Sequence, residues 1–97
     1  MKTKNEILAI LRGMKPFLAS DFHVKTIGLF GSAARGESNS RSDIDVLVEF
    51  QPPIGMFKFL ELEEMLSERL GGKVDLVSKK ALKPEIGRAI LTETVSP

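Results

Sequence analysis

The stretch from Asp43 to Phe50 most constrains how this chain can fold, because it joins two acids to a run of strand-forming residues. Ile44, Val46, Leu47 and Val48 are apolar on both faces, which is typical of a central β-strand covered on both sides. Residues two apart on a strand project to the same face, so Asp43 and Asp45 are expected to stand together, with Cα atoms roughly 7 Å apart. The segment predicts a sheet with paired carboxylates at one end of its central strand.

Helical and strand patterns alternate around that segment. Further strands are predicted over residues 24–30 and 73–78, and helices over about 4–19, over about 54–70 and from Pro84 onward. Thr3 and Glu6 form a capping-box pattern at the start of the first helix, whose last turn Pro16 is expected to end or kink. With a short helical turn after the first strand, the order αβ(α)βαβα predicts an α/β domain of two or three layers.

Composition narrows the class of protein. A chain of 97 residues with 42% hydrophobic content is expected to form one domain over residues 1–97. The net charge of +1 provides no basic field for nucleic acid, and no apolar run approaches membrane-spanning length. Cysteine is absent, which excludes disulfides and fits a reducing compartment. We expect a cytoplasmic protein with neither direct nucleic-acid nor membrane binding.

Gly31 and Ser32 follow the first strand and begin the short helical turn over residues 32–35. Glycine allows close backbone approach to a ligand, the N–H groups of such a turn attract anions, and the serine hydroxyl can donate to a phosphate oxygen. Arg35 and Arg41 flank the following polar loop, predicted over residues 37–42, and are candidates to meet the same phosphates. The alternatives are an ordinary strand-to-helix turn and two solvated surface charges.

The aspartates predict a divalent-metal site. Two neighbouring carboxylates repel unless a cation lies between them, and hard oxygen ligands suit Mg²⁺ or Mn²⁺. If the strand over residues 73–78 lies beside the Asp43 strand, Asp75 adds a third acid that can bind metal or accept a proton. The alternatives are a turn residue for Asp43, a solvated strand end for Asp45 and an edge-strand position for Asp75.

Other candidates favour structural roles. His23 is expected to be an exposed residue at the entry to a strand, and the stripe of Met56, Phe59 and Leu60 to pack in the core. The acids of the same helix are expected to form a solvated face, or to meet a basic partner; they are Glu61, Glu63, Glu64 and Glu68.

Together these motifs resemble the minimal nucleotidyltransferases of the polymerase-beta-like superfamily. The resemblance covers about residues 4–92 and depends on Gly31-Ser32, the ten-residue spacer with Ala34-Arg35-Gly36, the segment Ser42-Asp43-Ile44-Asp45, and Val74-Asp75-Leu76. It implies a nucleotidyltransferase fold, classed α/β (α+β), in which a small mixed β-sheet packs against helices. It also implies that Gly31 and Ser32 hold the triphosphate, that Asp43 and Asp45 bind two Mg²⁺ ions, and that Asp75 is the third acid. Arg35 and Ser42 are further nucleotide-binding candidates.

The reaction implied is transfer of AMP from ATP to a hydroxyl, with release of pyrophosphate. Relatives of this length commonly act as antitoxins that modify a tyrosine of a helical HEPN-domain RNase toxin. This chain lacks the additional helical domain with which larger relatives hold an acceptor, so a macromolecular acceptor is expected. Two alternatives stay open at this point, a binding module that only covers its toxin and a nucleotidyltransferase acting on a small molecule.

Overall fold

The computed structural model describes residues 2–36 and 43–97, and it has the predicted order of elements. The elements are helices α1 (Lys4–Phe22), α2 (Gly31–Ala34), α3 (Met56–Leu70) and α4 (Pro84–Glu93), strands β1 (Val24–Phe30), β2 (Ile44–Phe50) and β3 (Val74–Ser78), and a 3-10 turn at Lys79–Ala81. The loop predicted over residues 37–42, with Arg41 and Ser42, lies outside the described residues. Within the described ranges no helix is both long enough and apolar enough to cross a membrane.

The sheet is mixed and has β2 in its centre, as predicted. Its order is β1-β2-β3, with β1 and β2 antiparallel and β2 and β3 parallel. Helix α1 packs on β1, α3 packs on β3, and the two helices contact each other. The core therefore lies between this helix pair and the sheet, and its fully buried side chains include Ile7, Leu11, Leu18, Leu29, Ile44, Val46, Val48, Leu62, Leu66 and Leu70.

Helix α1 continues past Pro16 to Phe22, a few residues beyond the predicted end at about residue 19, so Pro16 does not end it. Its start is as expected, because Thr3 and Glu6 form the complete capping box. Pro16 is exposed, whereas Met14, Leu18 and Phe22 are buried on either side of it. Burial of that apolar face offsets the backbone hydrogen bond that proline removes. The helix ends at His23, which is exposed as expected and adopts a left-handed conformation with φ of 56°.

Two predictions about the side chains of helix α3 are wrong. Glu63 is not part of a solvated face, because its Oε2 accepts a hydrogen bond of 2.9 Å from the Leu76 N–H of β3. Ser67 Oγ similarly accepts from the Val74 N–H at 2.9 Å. Two α3 side chains therefore cover the outer edge of β3, the strand that carries Asp75. At the start of α3, Met56 and Leu60 are exposed by 76% and 50% rather than packed in the core.

Glu63→Ala is expected to lower the free energy of unfolding by about 1–2 kcal/mol, because it leaves the Leu76 N–H without its acceptor in a buried position. Urea denaturation would measure the loss. Glu64→Ala on the exposed face of the same helix is the matched control and should change stability by less than about 0.5 kcal/mol. Equal effects of the two substitutions would contradict the edge-capping role of Glu63.

Candidate active site

Two of the predicted acids meet across the sheet. Asp45 of β2 and Asp75 of β3 are direct partners in the parallel register, so they lie side by side on neighbouring strands. Asp43 immediately precedes β2. Asp45 is partly buried, whereas Asp43 and Asp75 are exposed. The expectation that the third strand lies beside the Asp43 strand is therefore correct, and it joins Asp75 to the other two acids.

Gly31 brings the turn after β1 against the same carboxylates. Phe30, the last residue of β1, is the register partner of Asp45, and Gly31 follows with φ of 66°. A Cβ placed on Gly31 would overlap the Asp45 carboxylate oxygen and lie 3.2 Å from its Cγ. Glycine is therefore required here both by the left-handed backbone and by the close approach of Asp45. Ser32 follows in α2 and is partly exposed.

Asp43 faces a different neighbour. Its Oδ2 lies 4.0 Å from Lys73 Nζ in an exposed ion pair. Among the described residues, no three His, Cys, Asp or Glu side chains lie close enough together to form a ready-made metal cage. The arrangement instead offers the Asp45–Asp75 pair with Asp43 beside it, and Mg²⁺ usually binds to one or two carboxylates while substrate phosphates supply further ligands.

The environment of Asp45 disfavours its charge. Burial raises the pKa of Asp45 above its ordinary value of 3.8, and the carboxylates of Asp75, Asp43 and Glu93 raise it further, while Arg35 opposes them. Such a site has excess negative charge, which a divalent cation would neutralise. The charge and the hard oxygen donors therefore both fit Mg²⁺.

This pKa shift predicts a pH dependence of stability for the metal-free protein. Because the pKa of Asp45 is raised in the folded state, the folded protein holds this proton at pH values where the unfolded chain has lost it. The contribution of Asp45 to the free energy of unfolding therefore decreases as the pH rises from 3.8 through the folded-state pKa of Asp45. Thermal melts of wild type and Asp45→Asn in chelator should diverge in that direction, with wild type relatively less stable at neutral pH. Parallel curves would contradict the shift.

Glu93 belongs to the site but was absent from the sequence-based candidates. After α4 the chain runs antiparallel beside β1, where Leu29 and Val95 exchange backbone hydrogen bonds of 2.9 and 2.7 Å. Gly28 permits this approach, since a Cβ there would lie 2.6 Å from Thr94 Cγ2. One signal was available in the sequence. An acid in the last turn of a helix is disfavoured by the helix dipole, so a hydrogen-bond donor or a positive charge is expected near Glu93.

The partners of Glu93 are two of the predicted phosphate-binding residues. Its Oε1 accepts a hydrogen bond of 2.9 Å from the Gly31 N–H, and its Oε2 lies 3.5 Å from Arg35 Nη1. Arg35 is thus placed at the turn, as predicted, and its described ion pair is with this acid. Ser42, the remaining nucleotide-binding candidate, lies outside the described residues.

Comparison with known proteins defines the class to which this fold and site belong. The nucleotidyltransferase domain family matches residues 11–96, and the chain belongs to that family. Protein adenylyltransferase MntA from Thermococcus cleftensis is 46% identical over 95 residues, which are 98% of this chain and 96% of the relative.

Solved structures agree with this assignment. One described as a minimal nucleotidyltransferase superposes with a TM-score of 0.82 at 32% identity, covering 95% of this chain and 94% of the other. A tri-AMPylated HEPN toxin from Shewanella oneidensis in complex with an MNT antitoxin contains a chain that matches at 25% identity and a TM-score of 0.61, covering 96% of this chain and 66% of that one. The predicted nucleotidyltransferase fold and enzyme class are confirmed.

Proposed function

We propose that this protein is an Mg²⁺-dependent adenylyltransferase that moves AMP from ATP to a hydroxyl of a partner protein and thereby acts as an antitoxin. The observation that carries this proposal is the register pairing of Asp45 with Asp75 directly beside the Gly31 turn. An anion-binding turn next to paired acids is the combination that a metal-bound triphosphate requires. The relatives named for protein adenylyltransfer support the choice of AMP and a protein acceptor.

In the proposed reaction the partner's hydroxyl oxygen attacks the α-phosphorus of ATP. A bond forms between that oxygen and phosphorus, the bond to the β-phosphate bridging oxygen breaks, and pyrophosphate leaves. Gly31, Ser32 and Arg35 bind the triphosphate, while Asp75 accepts the hydroxyl proton because it is exposed beside Asp45. Asp43 and Asp45 would hold two Mg²⁺ ions, whose positive charge would stabilise the attacking and leaving oxygens. A cytosolic location would provide both ATP and Mg²⁺.

The proposed partner is a HEPN-domain toxin, and the proposed acceptor is one of its tyrosines. The 97 residues contain no tyrosine, so the proposed acceptor lies outside them. The start of α3 offers an apolar surface for such a protein, with Met56 exposed by 76% and Phe57 by 90%. Beside it lies a groove of about 360 Å³ lined by Phe50, Pro53, Ile54 and Phe59 among others.

This surface lies at the far end of the sheet from the carboxylates. Phe50 ends β2 whereas Asp45 lies near its start, about 17 Å away along the strand. A partner that binds this surface and also places its hydroxyl at the carboxylates would have to span that distance, which a protein can do.

The decisive experiment incubates the protein with Mg²⁺, ATP labelled at the α-phosphate, and the HEPN-domain protein encoded beside it. Label is expected on the HEPN protein, with one pyrophosphate released for each AMP incorporated. Label that passes a protein-retaining filter would point instead to a small-molecule acceptor. Absence of labelling, together with full protection of cells by Asp43→Asn, would replace transfer by simple covering of the toxin.

A further inference from the structure

The predicted phosphate-binding turn already holds an anion supplied by the chain itself. The proposed donors to a triphosphate at this turn are the Gly31 N–H, Ser32 and the Arg35 guanidinium. Glu93 uses two of these three, accepting from Gly31 N–H at 2.9 Å through one oxygen and pairing with Arg35 at 3.5 Å through the other. Its carboxylate therefore stands where a phosphate of the nucleotide is expected.

A backbone bridge lies next to this contact. Leu29 and Val95 are paired in an antiparallel bridge, and both of their N–H groups are bonded across it. Gly31 lies two residues beyond Leu29, and Glu93, the last residue of α4, lies two residues before Val95, so the bridge holds these two residues near each other. The docking of the segment after α4 on β1 thus places Glu93 within reach of the Gly31 N–H.

The same carboxylate adds to the repulsion in the site. Glu93 is one of the groups that raise the pKa of Asp45. A nucleotide arriving with its own negative charge would meet Asp43, Asp45, Asp75 and Glu93, of which only Glu93 lies on the donors that the phosphates need. The side chain of Glu93 is 40% exposed, so it can rotate into solvent while the Val95 bridge stays intact.

We propose that Glu93 is an internal competitor of the nucleotide, which holds the Gly31 N–H and Arg35 until a triphosphate displaces its carboxylate. The inference rests on the proposed function, since it assumes that the turn binds a triphosphate. It assigns to Glu93 control over nucleotide affinity rather than a part in the transfer step. Removing the carboxylate should therefore strengthen binding of ligands that carry phosphates, and only of those.

The test is calorimetric titration of wild type, Glu93→Gln and Glu93→Ala, without partner protein, using three ligands in the presence of Mg²⁺. The ligands are ATP, inorganic tripolyphosphate and adenosine. Because the Glu93 contacts are partly exposed, we expect Kd for ATP and tripolyphosphate to fall about three- to tenfold in Glu93→Ala. Glu93→Gln keeps an acceptor oxygen but loses the charge, so its gain should be smaller. The Kd for adenosine should not fall in either variant.

Glu85→Gln is the matched control, because Glu85 is an exposed acid in the first turn of the same helix. It should bind all three ligands as wild type does. Should Glu93→Ala fail to fold, judged by its thermal melt, Glu93→Gln alone decides.

Three results would overturn the inference and leave the proposed function standing. They are unchanged ATP affinity in both Glu93 variants, weaker affinity, which would place Glu93 among the metal-binding acids, and an equal gain for adenosine, which would indicate general loosening. If ATP and tripolyphosphate bind to none of the proteins, the inference and the proposed function fail together.

Discussion

Asp45→Asn is expected to abolish AMP transfer while making the metal-free protein more stable. Asparagine removes a charge that the proposed Mg²⁺ ions require, which should lower the rate of transfer by about a thousandfold or more. The same charge is unfavourable in the folded protein, because burial and the neighbouring acids raise the pKa of Asp45. Labelling of the partner in the presence of Mg²⁺ measures the first effect, and thermal melts of the same purified variant at neutral pH in chelator measure the second.

Asp21→Asn is the matched control, since Asp21 is the only aspartate outside the candidate site and lies exposed near the end of α1. It should transfer AMP as wild type does. An active Asp45→Asn protein would exclude Asp45 as a metal ligand. A protein less stable than wild type at neutral pH would contradict the raised pKa of Asp45 in the folded state.

Gly31→Ala is expected to have the second-largest effect, because one methyl group meets two obstacles. The left-handed backbone at φ of 66° disfavours any side chain, and the new Cβ would overlap the Asp45 carboxylate. We expect a loss of about 1–3 kcal/mol in the free energy of unfolding from backbone strain. Displacement of Asp45 should also lower the transfer rate by about a hundredfold, because small misplacements of reacting groups are costly.

Two other glycines separate these causes. Gly36 has φ of 73°, but among the described residues, its chain neighbours aside, no atom lies within 4 Å of the point where a Cβ would stand, so Gly36→Ala should show the strain without the clash. Gly13 lies within α1 with open space around it, so Gly13→Ala should stabilise the protein by about 0.5–1 kcal/mol. If Gly31→Ala binds ATP and transfers AMP as wild type does, the close packing of the turn on Asp45 has no functional role.

Local patterns predicted the acids at the start of β2, whereas the position of Asp75 beside them was predicted only on condition that its strand is a neighbour of β2. The apolar residues on both faces of β2 indicated that it is the central strand. In a sheet of three strands the central strand has both others as neighbours, so β3 lies beside β2 and Asp75 lies beside Asp45. The turn at Gly31 was recognisable because it follows a strand directly. In each case residues close in sequence determine the feature, and the register of two adjacent strands supplies the rest.

Features set by distant residues were missed. Glu93 reaches Gly31 only because the segment after α4 pairs with β1, and nothing near Glu93 in the sequence encodes that pairing. Glu63 likewise has the spacing of a solvated residue until β3 lies beside α3 and offers the Leu76 N–H. Helix α1 passes through Pro16 because tertiary burial on both sides of the proline outweighs its local preference.

Some backbone groups on the outer edges of the sheet are already hydrogen-bonded to other parts of the chain. Leu29 on β1 is paired with Val95, and the N–H groups of Val74 and Leu76 on β3 are bonded to α3 side chains. At these positions a partner protein cannot extend the sheet by adding a β-strand to its edge. Its recognition there must depend on side chains, which evolution can exchange one at a time. Substitutions at such side chains could therefore change the recognition of a proposed partner while the scaffold under the aspartates stays unchanged.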